Sequence, residues 1–236
     1  MAGSCAVKAD AATTYQTGFE TPTITTGQLS GQDDWSGDGG PSSLVLVENT
    51  LAYQGTQAVS VTASATAISG AQHADPVALL PGNTLSISDF ANFSATGSAN
   101  YWTVIGGFYS SGGYILLNVD GSGQIILSTD TGNIATGVHV SLGSWNQYDL
   151  TMNYGTDTVT AYYNGVAAGS KSFAAADANL SDVQFYTQPN AAATSQVGYF
   201  DNVSVVVNPE PSTGLYLLEA GIMFAAIRRR STKVNE

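Results

Sequence analysis

Positive charge is what this chain has least of. Its 236 residues hold six Lys and Arg against eighteen Asp and Glu. All three arginines stand together, Arg228-Arg229-Arg230. Up to Val207 the only bases are Lys8 and Lys171, facing thirteen Asp plus Glu20 and Glu48, so this body has a formal charge of 2 − 15 = −13. Such a body repels nucleic acid and anionic lipid surfaces, which excludes nucleic acid as a partner. It favours divalent cations instead. Cysteine is nearly absent: Cys5 is alone, so no intrachain disulfide can form. Stability must come from core burial or a bound metal. The two histidines, His73 and His139, are too few for a zinc site. His73-Ala74-Asp75 suggests a base with an orienting carboxylate, but no Gly-x-Ser-x-Gly nucleophile motif supports it. Both histidines are expected to be solvated loop residues. Gly106-Gly107 and Gly112-Gly113 are followed by no Lys or helix start, so no loop is built to cradle phosphate.

What is present is strand after strand. Ala58 to Thr62 alternates apolar and polar after the turn Gln54-Gly55-Thr56. Tyr101 to Tyr109 is rich in aromatic and β-branched residues. Tyr114 to Val119 and Gln124 to Ser128 flank Asp120-Gly121-Ser122-Gly123 and predict a hairpin. Tyr148 to Asn153 and Thr158 to Tyr163 predict a second one around Tyr154-Gly155-Thr156-Asp157. Asn164-Gly165 supplies positive φ for a tight turn into Val166. Val183 to Thr187 and Tyr199 to Val207 complete the series. Helical periodicity is missing from the body, apart from one short turn expected at Ala174-Ala175-Ala176. Short strands with Gly-rich turns predict an all-β, two-sheet antiparallel jelly-roll sandwich over residues 15–207. Residues 1–14 read as a disordered leader, with Cys5 a stray thiol in it. They have no apolar signal core, although Ala9-Asp10-Ala11 looks like the remnant of a cleavage site.

The tail, residues 208–236, has a different design. Asn208-Pro209-Glu210-Pro211-Ser212-Thr213 keeps the backbone extended and displays Glu210. Gly214 to Ile227 is apolar and predicts a single hydrophobic helix. Arg228, Arg229 and Arg230 would hold the last residues on the cytoplasmic side. Motif, greasy run and basic cluster, in this order, closely resemble the PEP-CTERM sorting signal of Gram-negative bacteria that make exopolysaccharide. The resemblance implies export, a transient anchor in the inner membrane, and recognition of Pro209, Glu210 and Pro211 by an exosortase-type membrane protease that removes the tail. The protein would end in the envelope or extracellular matrix. Glu219 interrupts the apolar run, which is shorter than the ~20 residues of a standard span. Both features suit a weak anchor. An amphipathic helix packed on the body is the competing reading.

A second resemblance covers most of the body. Trp145-Asn146-Gln147-Tyr148-Asp149-Leu150-Thr151-Met152, followed by Thr158-Val159-Thr160-Ala161-Tyr162-Tyr163-Asn164-Gly165, is similar to the strand pair of concanavalin A-like and laminin G-like domains. Gly18-Phe19-Glu20 and Tyr199-Phe200-Asp201-Asn202-Val203-Ser204-Val205 resemble the paired terminal strands of jelly rolls, many of them carbohydrate-binding. A galactose-binding-like jelly roll is the nearest alternative. Hydrolases of this fold carry a Glu-x-Asp-x-x-Glu type motif, because cleavage needs two flanking carboxylates. Here Glu20 and Glu48 are followed at that spacing by Pro22 and Thr50, so the motif is absent.

Two kinds of site remain. Calcium wants several oxygen ligands. The resemblance suggests a structural calcium between the terminal strands, at Glu20 and Asp201. Asp33-Asp34 with Asp38 offers an alternative acidic loop, and Asp120-Gly121-Ser122-Gly123 another. A sugar site wants an aromatic face beside hydrogen-bonding groups. Trp35, inside the acidic loop, is the candidate exposed platform, whereas Trp145 is expected to fill the core. The reading that results is a non-catalytic envelope or matrix protein that binds glycan, such as exopolysaccharide, or acts as a structural module. A diverged polysaccharide hydrolase or lyase, or a protein-adhesion module, is the alternative.

Overall fold

A computed structural model describes residues 11–79, 82–94, 101–174, 179–189 and 196–208. The expected sorting motif from Pro209 onward, the apolar run and the arginine cluster lie outside the described residues, as does most of the turn expected at Ala174–Ala176.

Sixteen strands follow one another: β1 (Ala12–Thr17), β2 (Gly27–Gln28), β3 (Trp35–Gly37), β4 (Val45–Glu48), β5 (Ala58–Thr62), β6 (Ser69–Ala78), β7 (Thr84–Phe93), β8 (Trp102–Tyr109), β9 (Tyr114–Val119), β10 (Gln124–Thr129), β11 (Gly132–His139), β12 (Asn146–Asn153), β13 (Thr158–Tyr163), β14 (Val166–Ser172), β15 (Asn179–Thr187) and β16 (Val197–Asn208). The only helix among the described residues is one 3-10 turn, Ser42–Leu44. The strands form two antiparallel sheets. One runs β14-β13-β12-β7-β16-β5-β4-β2, with β1 also paired to β16; the other runs β11-β10-β9-β8-β15-β6-β3. This is the expected jelly-roll sandwich. Strand β1 takes up residues 12–14, which the sequence reading had assigned to a disordered leader.

Alternation decides which face each strand gives to the core. On β9, Ile115, Leu117 and Val119 are fully buried between the sheets, and Tyr114, Leu116 and Asn118 face the other way. On β12, Tyr148, Leu150 and Met152 point inward. Trp102 is the bulkiest filler at the centre, 5.2 Å from Phe93 and 6.3 Å from Phe200 between ring centroids. Phe185 and Phe200 stack across the sheets at 4.6 Å. Each such buried side chain contributes about 1.5–3 kcal/mol of hydrophobic stabilisation.

Strand β16 is the spine of the larger sheet. It pairs with β7 along one edge, and along the other with β5 (Val197 to Phe200) and then β1 (Val203 to Val207). Its register slips between Asp201 and Ser204, where Asn202 has φ of 51°. This bulge stands where the edge passes from β5 to β1, and it displays Asp201 beside the loop that precedes β5.

Candidate functional site

The outer face of the seven-stranded sheet carries a cleft of about 430 Å³. Adjacent strands supply it in a regular way. Tyr101 precedes β8 and Phe108 lies on it; β9 gives Tyr114, Leu116 and Asn118; β10 gives Ser128; β11 gives Asn133; β15 gives Tyr186, with Gln188 just beyond it. The alternation that buries Ile115 and Leu117 therefore aims their neighbours into the cleft.

Its floor is polar and fully connected. Thr103 Oγ donates to Asn118 Oδ1 at 2.7 Å, and Asn118 Nδ2 donates to Ser128 Oγ at 2.9 Å. Asn118 is 1% exposed and Thr103 0%, so neither loses anything to unmet hydrogen bonding. The walls are aromatic: Phe108 and Tyr114 lie 6.3 Å apart at 38°. Burial raises the pKa of Tyr101 and of Tyr186; the charge of Asp120 adds to the first and that of Asp38 to the second. Both phenols stay protonated and can donate. Gly70 on β6 makes room for this wall, because a Cβ there would run into Tyr186 Cβ and Phe185 O.

Beyond Tyr186 the same face continues over β15 and β6. Gln184 Nε2 donates to Asp182 Oδ1 at 2.7 Å and to Gln72 Oε1 at 3.2 Å, and Ser181 Oγ donates to Asp182 Oδ2 at 2.9 Å. Burial raises the pKa of Asp38, and the charge of Asp182 adds to it. Among the described residues no Asp, Glu, His, Lys or Arg lines the cleft itself.

The residues singled out from sequence fall elsewhere. Trp35, expected as an exposed platform, is 1% exposed. It sits on β3 against Phe185 (5.1 Å) and Phe19 (5.6 Å), and its Nε1–H donates to Tyr15 Oη, whose own hydrogen goes to Asp33 Oδ2. The flanking Asp and Ser suggested a loop, yet three paired residues on the sheet edge turn the indole inward. His73 is likewise no loop residue: it lies on β6, 6% exposed, stacked on Tyr15 at 3.6 Å. Burial lowers its pKa, against the pull of Asp75, Asp33 and Asp34. His139 is exposed at the end of β11, its Nδ1 3.3 Å from Ser122 O. Trp145, expected in the core, stands half-buried on the outer face of the nine-stranded sheet, edge-on to Tyr53, which stacks on Phe90 at 3.7 Å.

Glu20 and Asp201 do come to the same place, but they hold a loop between them. Asp201 Oδ2 accepts the N–H of Tyr53 and of Gln54 at 3.0 and 3.1 Å, and Oδ1 accepts that of Asn202 at 2.7 Å. Glu20 Oε1 accepts the N–H of Thr56 and of Gln57, and Oε2 the hydroxyl of Thr56. Glu20 spends three of its roughly four acceptor sites on this loop, whereas Asp201 gives the loop two and spends a third on the Asn202 N–H. Burial pushes Asp201 up to about 6, against three backbone hydrogen bonds, and the Glu20 charge adds to the rise. For Glu20 burial also acts upward, but the hydrogen bonds from Gln57 and Thr56 win and its pKa falls. Asp33-Asp34 and Asp38 are separated by β3, and Asp120 accepts three hydrogen bonds from Ser122 and Gln124 in its own turn. Among the described residues no three of His, Cys, Asp and Glu converge as metal ligands.

Sequence reading missed the cleft because its polar members come from four strands and no single motif. The signal was present in the pairs Tyr101-Trp102 and Phe108-Tyr109, where one ring faces the core and the other faces out.

Fold and cleft together define a jelly-roll sandwich with an aromatic, hydroxyl- and amide-lined groove on one sheet. A family model described as the concanavalin A-like lectin/glucanases superfamily (Laminin_G_3) matches residues 64–208, more than half of the chain, and the chain belongs to that superfamily. No curated protein sequence matches the chain. Among solved structures, an endo-1,3-β-glucanase from Streptomyces sioyaensis is similar over 88% of this chain and 100% of its own, with TM-score 0.62 and 11% identity. A carbohydrate esterase from a Shiga toxin-encoding bacteriophage is similar over 84% of this chain and 100% of its own (TM-score 0.60, 18% identity). An alginate lyase of polysaccharide lyase family 7 is similar over 74% and 94% (TM-score 0.53, 13% identity). A sialidase also matches, of which the chain spans only 17%. At these identities the likeness establishes the fold.

Proposed function

We propose that this protein is a non-catalytic glycan-binding module of the cell envelope or extracellular matrix, with the cleft on the seven-stranded sheet as its binding site. One observation carries the reading: aromatic rings and a satisfied hydroxyl-amide floor line a single groove of about 430 Å³. A pyranose has an apolar C–H face and a polar rim, and such a groove answers both. Its size lies within the roughly 300–1,000 Å³ of small-ligand sites. That the structural relatives include a glucanase and an alginate lyase supports glycan as the ligand class. That no carboxylate is among the described lining residues supports binding without cleavage, since hydrolysis of a glycosidic bond needs two. The test is binding on a glycan array with the intact protein and with Tyr101→Ala and Tyr114→Ala. Loss of a specific signal in both variants, with unchanged melting, is the expected result. Release of reducing ends from a bound polysaccharide would establish the enzymatic alternative.

Export and sorting belong to the same proposal and rest on the tail's sequence. Pro209-Glu210-Pro211, the run Gly214 to Ile227 and Arg228-Arg229-Arg230 would be read by an exosortase-type protease. Mass spectrometry of the mature C-terminus in hosts with and without that protease tests it. An intact tail in the competent host would overturn it.

A further inference from the structure

We infer that the cleft takes an uncharged glycan and discriminates against polyuronates and other anionic polysaccharides. This rests on the glycan-binding reading above and adds the ligand's charge to it. The lining groups are Tyr, Phe, Leu, Asn, Ser and Gln. Their hydroxyls and amides both donate and accept, as sugar hydroxyls do, whereas an ionised carboxylate only accepts. A uronate chain would need donors in excess, and usually a guanidinium or ammonium to offset the desolvation of its charge. None is available. Lys171, the only Lys or Arg among the described residues, is carried by β14; its Nζ comes within 4.0 Å of where a Cβ of Gly132 would stand on β11, one residue before Asn133, but it does not line the cleft. His139, at the end of β11, lies against the Ser122 carbonyl and does not line the cleft.

Carboxylates stand on both sides of the cleft. Asp120 is in the turn between β9 and β10, close enough for its charge to act on Tyr101. On the opposite side Asp182, Gln184 and Tyr186 alternate along β15 and share the outer face, and Asp182 is the cross-strand partner of Phe108. Asp38 adds a third negative charge, which acts on Tyr186. A glycan lying across the sheet from β10 to β6 thus passes between like charges if it is anionic. Nothing opposes it if it is neutral. At physiological salt the Debye length is about 8 Å, so the repulsion is felt along the groove and weakens as salt rises.

Calorimetric titration of the intact protein tests this. The probes are laminarihexaose, cellohexaose and mannohexaose on one side, hexagalacturonate and an alginate hexamer on the other. At low salt, at least one neutral probe should bind ten-fold or more tightly than either uronate. Raising the salt should narrow that gap by strengthening the uronates and leaving the neutral probe unchanged. Asn133→Lys, an exposed change at the rim, should bring uronate binding in, with the opposite salt dependence. Uronate binding by the unmodified protein that equals or exceeds neutral binding, and is lost in Tyr101→Ala, would overturn the charge inference and leave the glycan reading standing. No binding by any probe would overturn the glycan reading and this inference with it.

Discussion

Asn118 and Asp89 are both buried polar residues on neighbouring sheets, 1% and 0% exposed, and they could hardly be treated more differently. Asn118 sits in a closed chain between Thr103 and Ser128. Asp89 points into the core from β7 with no partner for either oxygen, and its cross-strand neighbour Tyr148 has an equally unpartnered hydroxyl. Burial drives the pKa of Asp89 well up, and the charge of Asp149 adds to it, so the neutral form is favoured. The first arrangement gives a cleft floor of fixed shape. The second is a standing cost to the fold, because a buried polar group without a partner forfeits its hydration and receives nothing back.

The sharpest way to break this comparison is Asn118→Leu. It removes the middle of the chain and takes one partner each from Thr103 and Ser128, which keep their hydrogen bonds to Tyr186 and Tyr101, so it should cost about 1–2 kcal/mol in urea denaturation and weaken glycan binding as well. Asp89→Leu should act in the opposite direction, stabilising by about 2 kcal/mol at pH 8. Because its folded pKa is raised, Asp89 contributes its full stability only below the ordinary 3.8, and that contribution fades as pH rises toward the folded value. The gain from Asp89→Leu should therefore shrink in acid. A loss at every pH would mean that Asp89 is satisfied after all.

Asp201 is an intermediate case, buried and raised, yet hydrogen-bonded through both oxygens. Its pKa of about 6 makes the wild type lose stability as pH climbs from about 4 through about 6. Asp201→Asn should flatten that stretch of a melting-temperature profile and also lower it throughout, since its one amide oxygen can still accept the Tyr53 and Gln54 N–H groups but its NH2 then faces the Asn202 N–H. The smallest effect expected is that of calcium. With the Glu20 and Asp201 oxygens occupied by hydrogen bonds, millimolar calcium should leave the melting temperature within about 1 °C; a larger rise would show a cation binding the native state.

Strands with plain alternation were legible in the sequence. Ala58 to Thr62, read from alternation, and Tyr114 to Val119, read as an apolar run ending at a Gly-rich turn, stand in the structure with those bounds. Strand β7 alternates just as well through Leu85 and Ile87, but the next core position is Asp89, which reads as a turn residue. The anomaly that makes this strand interesting is also what hid it. Strand β6 was obscured by Gly70 and Pro76, and edge strand β11 by Gly132 and Gly137. The site was harder still. Trp35 lay among loop-forming residues, and its inward turn depends on pairing with His73, far away in sequence. Tyr101, Asn118, Ser128 and Tyr186 become neighbours only when four strands align, and no local pattern encodes that.

The pairing of β1 with β16 sets Ala12 beside Val207, so the chain enters and leaves the domain at the same point. A pull between those two ends would peel β1 away one rung at a time, as a zipper opens. A pull along β16 toward Asn208 meets a different geometry, because the strand is gripped lengthwise by β7, β5 and β1. Those rungs must shear together and share the load. The sandwich is therefore mechanically weak between its own ends and strong against a pull along β16 itself.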